Sequence, residues 1–172
     1  VYFWNDYEDK KFNEAYFKKF KNVWSHGDYI LINSYGGVEI LGRSDSTLNP
    51  GGIRIGTSEI YQAVEKMDEI VDSVVVGFIK DSQEEMILFV KLEDKIFLDE
   101  KLITKINLNI SQNCTQRHIP SKIFSVPDIP YTINGKKVEI AVKKIINGKE
   151  IENYDAIANP ESLQFYQEFK VG

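Results

Sequence analysis

Two apolar runs in the middle of the chain constrain its fold more than any other feature. Residues 71–79 and 85–92 are rich in β-branched and aromatic side chains, and residues 80–83 form the turn that joins them. This composition favours β-strands, so the two runs predict a β-hairpin. A shorter run of the same kind at residues 123–126 predicts a third strand. We therefore expect a sheet of about three strands.

Helical spacing of apolar residues marks three further segments. The first begins at Thr57, which we interpret as its N-cap, and Glu59 favours its first turn. The second begins near Asp99, and the third ends at residues 147–148. A final helix is expected over residues 160–169. The apolar positions assigned to the core are Ile60, Ala63, Val64 and Met67, then Leu102, Ile103, Ile106 and Ile110, then Val138, Ala141, Val142 and Ile145. The predicted fold class is α+β, with helices packed on the sheet.

The first 41 residues differ from the rest of the chain. An aromatic-rich segment comes first, and two short β-type runs follow at residues 28–32 and 38–41. The sequence Ser-Tyr-Gly-Gly at residues 34–37 lies between them and is typical of a turn. We expect a β-hairpin here, and we expect the core of the domain to begin after Asp45.

Composition and charge exclude several classes of function. The chain has 172 residues, of which 42% are hydrophobic and 27% are charged, so it can bury one good core. Its net charge of −5 disfavours nonspecific binding to nucleic acid or to acidic membranes. No apolar run reaches the roughly 18 residues that a membrane span needs. We therefore expect no nucleic-acid partner and no membrane span.

The beginning of the chain indicates its context. It has neither the basic start nor the apolar stretch of a secretory signal, so we expect a cytoplasmic location. It also begins with Val1 and not with Met, in the middle of a sequence pattern. We interpret the chain as a piece of a longer protein.

The two histidines and the cysteine are not assigned to a functional site. We interpret His26 and His118 as structural, and the lone Cys114 as a buried or half-buried thiol without a role. No Cys, His or Asp cluster has the spacing of metal ligands, so no metal site is expected.

A glycine pair lies in the loop that leads into the first predicted helix. Gly51 and Gly52 let the backbone take positive φ and approach a ligand closely. Arg43 and Arg54 flank the pair with planar, permanently charged groups that suit phosphate or ribose oxygens. Taken alone, such a loop is more often a tight turn before a helix.

Two more motifs accompany this loop. Trp-Ser-His-Gly-Asp occupies residues 24–28, and Pro-Tyr-Thr-Ile-Asn-Gly-Lys-Lys occupies residues 130–137. The three motifs, in this order, resemble the last three signature motifs of the adenylate-forming acyl-CoA synthetases, firefly luciferases and peptide-synthetase adenylation domains. The resemblance covers nearly the whole chain. Within that superfamily, residues 42–61 and 116–148 are most similar to the acetoacetyl-CoA synthetase branch.

The resemblance implies an organisation and a set of substrates. Residues 1–44 correspond to the end of the large N-terminal AMP-binding domain, and residues 45–172 to the small, mobile C-terminal domain. The missing remainder of the large domain, which carries the phosphate-binding loop and the acyl pocket, is the implied partner. The implied substrates are small molecules, namely ATP with Mg²⁺, a carboxylate and CoA. Because the chain lacks most of the site, we expect it to have no ligase activity alone.

Lys136 matches the catalytic lysine of the family. A cation there would stabilise negative charge that builds on the α-phosphate and the incoming carboxylate. The alternative is an Asn-Gly hairpin turn at residues 134–135 followed by two solvated lysines. Relatives often carry Arg-Ser where residues 133–134 stand, whereas the following Gly-Lys pair is retained. We interpret Lys137 as a solvated charge at a helix start.

Three residues match family positions that bind the nucleotide. Asp28 would accept hydrogen bonds from the ribose hydroxyls of ATP, and Arg43 would also reach the ribose. Arg54 would be directed at the phosphates. The alternatives are a strand-entry role for Asp28 and surface ion pairs for the two arginines.

Other positions match the family's second half-reaction, in which the acyl group passes to CoA. Asp45 would be the hinge about which the small domain rotates between the two steps. Gly51 and Gly52 would line the pantetheine tunnel, where a side chain would block the thiol arm. Arg117 and Lys122 are candidates for binding the phosphates of CoA.

Three functions stay open on the sequence. The first is an acyl-CoA ligase, in particular an acetoacetate-CoA ligase. The second is an adenylation domain that loads a carrier protein in place of CoA. The third is a non-catalytic interaction domain of the same fold, which the retention of Asp28, Arg43, Arg54 and Lys136 disfavours.

Overall fold

The structure is a computed structural model, and it describes residues 3–44, 46–151 and 154–169. The chain divides into two compact units, Val1–Asp45 and Ser46–Gly172. The first unit contains a two-stranded sheet, and the second contains a three-stranded sheet.

The first unit combines a short helix with a hairpin. A 3₁₀ turn at Tyr7–Asp9 leads into α1, Lys10–Tyr16. Strand β1, Asp28–Ile32, pairs antiparallel with β2, Val38–Arg43, which confirms the predicted hairpin. Helix α1 was not predicted, because seven residues are too few to establish a helical period.

Aromatic side chains hold the first unit together. Tyr16 stacks on Trp24 with ring centroids 3.9 Å apart, and Phe12 and Phe17 meet the same indole at 5.8 and 5.7 Å. The hairpin itself buries little apolar surface. Its exposed apolar side chains are Ile30, Leu31, Ile32, Val38 and Ile40.

The second unit contains the predicted three-stranded sheet. Strands β3, Ile70–Lys80, and β4, Gln83–Leu92, form an antiparallel hairpin. Strand β5, Lys122–Ser125, lies parallel to β4, which is therefore central. The three predicted strands are confirmed, and their ends differ from the prediction by one or two residues.

Helices cover both faces of this sheet. Helices α2, Thr57–Val64, and α3, Glu100–Asn113, pack on one face. Helices α4, Glu139–Ile146, and α5, Gln164–Gln167, pack on the other. The remaining 3₁₀ turns are Pro50–Gly52, Gln116–His118, Tyr154–Ala156 and Pro160–Leu163. The last of these occupies the start of the predicted final helix.

Two apolar cores result, one on each face. Val75 and Leu88 contribute to the first core, and their neighbours Val74 and Phe89 contribute to the second. Because both faces are covered, the strands are apolar at nearly every position, which explains the continuous runs in the sequence. The predicted α+β class is therefore confirmed.

Helix α2 does not begin as predicted. Its N-cap is Gly56, which has no side-chain cap, and Thr57 is the first helical residue. The Thr57 side chain is buried, so it packs within the domain and does not cap the helix end.

A β-bulge at the start of β3 interrupts the alternation of side chains between the two faces of the sheet. Ile70 pairs with Leu92 and Asp72 pairs with Lys91, so Val71 is an extra residue on this strand. Ile70 is consequently buried and Val71 is exposed.

The turn between β3 and β4 is strained. Lys80 pairs with Gln83, and the two residues between them, Asp81 and Ser82, have φ of +48° and +66°. A two-residue hairpin turn of this kind favours glycine, because the left-handed region costs other residues about 1–2 kcal/mol.

Replacing Ser82 with glycine should stabilise the second unit. We expect Ser82→Gly to raise the free energy of unfolding by about 0.5–1 kcal/mol, since the relieved strain exceeds the added entropy of the unfolded chain. Urea unfolding followed by circular dichroism measures this change. Ser82→Ala keeps the Cβ atom and should give no gain, so equal stability of the two variants would contradict the strain.

Candidate functional site

The Gly-Lys-Lys motif lies in a tight hairpin loop. Tyr131 pairs with Lys137, and the N–H of Thr132 donates to the Lys136 carbonyl at 2.8 Å. The N–H of Gly135 donates to the Thr132 carbonyl at 2.8 Å, and Gly135 has φ of +72°. This is the geometry of a three-residue hairpin loop whose last residue is left-handed. A residue with a side chain would be strained at Gly135.

The two lysines of this loop lie in opposite environments. Lys136 is exposed, and within the described part of the chain its ammonium has no hydrogen-bonded or ion-paired partner. The Lys137 side chain is only 16% exposed and forms ion pairs with Glu65 and Asp72. The interpretation of Lys137 as a solvated charge is therefore wrong. Successive residues of an extended segment point to opposite sides, and this alternation could have indicated that one lysine faces the domain.

One carboxylate binds both sides of the loop. Lys137 Nζ lies 2.5 Å from Asp72 Oδ1, and Tyr131 Oη donates to Asp72 Oδ2 at 2.7 Å. Burial, and then the hydrogen bond to Asp72, raise the pKa of Tyr131, so its phenol stays protonated and acts as the donor. Asp72 was not predicted as a site residue, because its partners lie about 60 residues away along the chain.

An amide fixes the start of the same loop. Asn159 Oδ1 accepts from the Tyr131 N–H at 2.8 Å, and Asn159 Nδ2 donates to Asp128 Oδ2 at 2.6 Å. Lys91 Nζ binds the other oxygen of Asp128 at 2.8 Å. Side-chain contacts therefore attach the loop to Asp72 earlier in the chain and to Asn159 later in the chain.

The glycine pair lies at the tip of a loop with a buried base. Leu48 and Ile55 form an antiparallel bridge with hydrogen bonds of 3.0 and 2.9 Å, and each is 1% exposed. Gly51 and Gly52 have φ of +56° and +84°, which confirms the expected conformation. A Cβ atom at either glycine would meet no heavy atom within 4 Å. The tip is thus open, and the base is packed into the domain.

A second carboxylate anchors this glycine loop. Glu84 Oε2 accepts from the Asn49 N–H at 2.8 Å, and Glu84 Oε1 binds Lys143 Nζ at 2.5 Å. The same carboxylate lies directly over Gly77, where an added Cβ would be 1.8 Å from Glu84 Oε1. The absence of a side chain at Gly77 therefore makes room for the carboxylate that holds the loop.

Residues 48–55 form the glycine loop and residues 131–137 form the lysine loop. The apolar residues at the base of each loop pack on opposite faces of the sheet. Leu48 and Ile55 are buried in the first core, with α2 and α3. Ile129 and Val138, which flank the lysine loop, pack in the second core with α4. The apolar residues that flank the two loops are therefore buried on different faces of the sheet.

The first unit brings two of the predicted nucleotide residues together. Asp28 and Arg43 are directly opposite each other in the β1–β2 pairing. Asp28 is half-buried, and its Oδ2 lies 2.5 Å from His26 Nδ1. His26 is therefore a partner of a predicted binding residue, which the sequence analysis did not recognise.

The remaining predicted residues lie in the second unit. Arg54 is exposed beside the glycine loop. Arg117 is exposed in the turn Gln116–His118, and Lys122 is the half-buried first residue of β5. Asp45, the predicted hinge, lies outside the described residues.

The second histidine has the structural role expected of it. His118 is buried, with Nδ1 2.8 Å from Thr115 Oγ1 and Nε2 3.0 Å from Glu59 Oε2. Cys114 is half-buried, and burial followed by the nearby Glu59 raises the pKa of its thiol.

Neither a metal cluster nor a spanning helix is found in the described ranges. Among residues 3–44, 46–151 and 154–169, no group of three or more His, Cys, Asp or Glu side chains could hold a metal ion. We therefore assign no Mg²⁺ ligand to these residues. In the same ranges, no helix is long and apolar enough to cross a membrane.

Comparison with known proteins finds relatives of one kind. No protein-family model matches the chain. Acetoacetyl-CoA synthetase of Gallus gallus is 51% identical over 169 residues, and acetoacetyl-coenzyme A synthetase of Rhizobium meliloti (strain 1021) is 45% identical over 166 residues. These matches cover 97% and 96% of this chain. The solved structure of acetoacetyl-CoA synthetase from Streptomyces lividans, 40% identical, covers 96% of this chain with a TM-score of 0.89.

The chain is therefore similar to acyl-CoA synthetases over nearly its whole length. It spans about a quarter of the length of the relatives it matches, 25% and 26% of the two synthetases above. Its second unit has the small α+β fold that the family resemblance predicted for a C-terminal domain.

Adding a methyl group at Gly77 should weaken the anchor of the glycine loop. We expect Gly77→Ala to lower the free energy of unfolding by about 1–3 kcal/mol, because the Glu84 carboxylate must move away from Lys143 and Asn49. Urea unfolding gives the change. The matched control is the same substitution in a Glu84→Ala background, where the obstructing carboxylate is gone. If Gly77→Ala lowers the free energy of unfolding by the same amount in that background, displacement of the Glu84 carboxylate is not the cause of the loss.

Proposed function

We propose that this chain is the carboxy-terminal part of an acetoacetate-CoA ligase. Such an enzyme converts a carboxylate, ATP and CoA to acyl-CoA, AMP and pyrophosphate through an acyl-adenylate. The support comes from relatives named acetoacetyl-CoA synthetase, which match nearly the whole chain at 45–51% identity. ATP with Mg²⁺, acetoacetate and CoA are the proposed substrates, and the rest of the large domain is the proposed partner in the same protein.

The exposed ammonium of Lys136 is the observation that carries the chemistry. It projects from a loop that is fixed on the domain, and its neighbour Lys137 is neutralised by two carboxylates. In the adenylation step, Lys136 would stabilise charge on the α-phosphate and the attacking carboxylate. A preorganised cation at developing charge is among the largest contributions to catalysis.

Three residues are proposed to bind the nucleotide, and they are Asp28, Arg43 and Arg54. The Asp28 carboxylate is a natural acceptor for the ribose diol, and Arg43 is its cross-strand neighbour. Arg54 would donate to the phosphates with a planar guanidinium. In this proposal residues 1–44 are the end of the AMP-binding domain, and residues 45–172 are the C-terminal domain.

The second half-reaction would use the other face of the sheet. Gly51 and Gly52 would admit the pantetheine arm at the open tip of their loop, and Arg117 would meet the phosphates of CoA. Asp45 would be the hinge that exchanges the two faces. The separation of the lysine and glycine loops by the sheet supports a rotation of this kind.

Replacing Lys136 with alanine should separate the two half-reactions. In the full-length ligase we expect Lys136→Ala to lower ATP–pyrophosphate exchange by about 10²–10³-fold, as for the loss of one charge-stabilising contact. Acyl transfer to CoA from a supplied acyl-adenylate should be retained, because the lysine acts only in the first step. Lys101→Ala removes an exposed lysine of α3 and controls for bulk charge.

Two outcomes would reject this proposal. Pyrophosphate exchange at the wild-type rate in Lys136→Ala would remove the lysine from the reaction. Acyl transfer to a phosphopantetheinyl carrier protein, with no transfer to free CoA, would assign the enzyme to the carrier-loading class.

A further inference from the structure

We propose that Lys137 is a positioning residue, which acts with Asp72 to hold the lysine loop so that Lys136 presents its ammonium to the reaction. This inference rests on the role proposed above for Lys136. Lys137 does not touch substrate in this scheme, and its effect reaches the chemistry only through its neighbour.

The Lys137 ammonium has a complete set of acceptors. It donates to Glu65, to Asp72 Oδ1 at 2.5 Å and to the Ser73 carbonyl at 2.5 Å. An ammonium has three N–H groups, so each has one acceptor. Nζ also lies 4.3 Å from the centre of the Tyr61 ring, where the ring face attracts a cation. A surface lysine would not be enclosed in this way.

These acceptors come from elements that are themselves fixed. Ser73 is fully buried in β3, and Asp72 precedes it directly after the bulge. Glu65 follows the last turn of α2, and Ser73 Oγ donates to Glu65 Oε1 at 2.7 Å. The ammonium therefore joins the loop to a strand and a helix that belong to the core.

Asp72 closes the loop from both sides. Tyr131 and Lys137 are partners across the hairpin, and each binds a different oxygen of this carboxylate. The hydrogen bond between the Thr132 N–H and the Lys136 carbonyl then fixes the backbone of Lys136. The backbone of Lys136 cannot move without breaking one of these contacts.

Removal of the Lys137 charge should displace the loop. Glu65 and Asp72 would then face each other without the cation that joins them, and a buried charge without its partner is costly. We expect the loop to move away from β3, so that water can reach the two carboxylates. A displacement of about 1 Å in a positioned catalytic group can cost about 10²-fold in rate.

The test uses the full-length ligase and measures the two half-reactions separately. Lys137→Met keeps the length of the side chain and removes its charge. We expect ATP–pyrophosphate exchange to fall about 10²-fold, while acyl transfer from a supplied acyl-adenylate to CoA keeps its wild-type rate. Lys137→Arg, which keeps the charge, should recover most of the exchange activity.

A second, milder variant keeps the inference testable if Lys137→Met does not fold. Tyr131→Phe keeps the ring and removes only its hydrogen bond to Asp72. It should lower pyrophosphate exchange less than Lys137→Met does, and it should also leave acyl transfer unchanged. If Lys137→Met does not fold, the rates of the two half-reactions in Tyr131→Phe decide whether the contacts of Asp72 position the loop.

A double variant separates positioning from general stability. If Lys137 acts only through Lys136, then Lys136→Ala combined with Lys137→Met should exchange pyrophosphate as slowly as Lys136→Ala alone. A further loss in the double variant would overturn the inference. An equal fall of both half-reactions in Tyr131→Phe would also overturn it.

The failures of the two proposals are distinguishable. Persistent exchange in Lys136→Ala rejects the proposed function of Lys136. Loss of exchange in Lys136→Ala, together with wild-type exchange in Lys137→Met and Tyr131→Phe, rejects only the positioning role.

Discussion

The ion pair between Lys137 and Asp72 is the interaction on which the geometry of the lysine loop depends. It lies within a cluster in which one ammonium meets two carboxylates and a buried carbonyl. Such a cluster is costly to form, because its charges must leave water, and it is costly to break, because each partner is then left alone. The loop is therefore held in one arrangement, in which the preceding Lys136 is exposed.

The glycine loop is also held by a carboxylate that binds a lysine. Glu84 connects the glycine loop, through the N–H of Asn49, to Lys143 of α4. In both cases a carboxylate on the β3–β4 hairpin binds a lysine from the last third of the chain and a loop that carries a predicted function. The rigid, doubly covered sheet thus holds two separate surfaces.

Local sequence patterns predicted the elements but not the contacts between them. The strands were found because continuous β-branched runs are typical of a sheet covered on both faces. The environment of Lys137 was not predictable in this way, because Glu65 and Asp72 lie 72 and 65 residues earlier in the chain. Thr57 was taken as a cap because its type is common there, yet packing buries it. The roles of Lys136, Arg54 and the other site residues rest on the family resemblance and stay predictions.

Amide hydrogen exchange in the lysine loop tests the central claim most directly. The N–H groups of Thr132 and Val138 donate to the carbonyls of Lys136 and Pro130 at 2.8 and 3.0 Å. If the Asp72 carboxylate holds the loop, both amides are protected in the wild-type chain and lose that protection in Asp72→Asn, while amides of β4 keep theirs. Unprotected exchange of the two amides in the wild type, or full protection in Asp72→Asn, would contradict it.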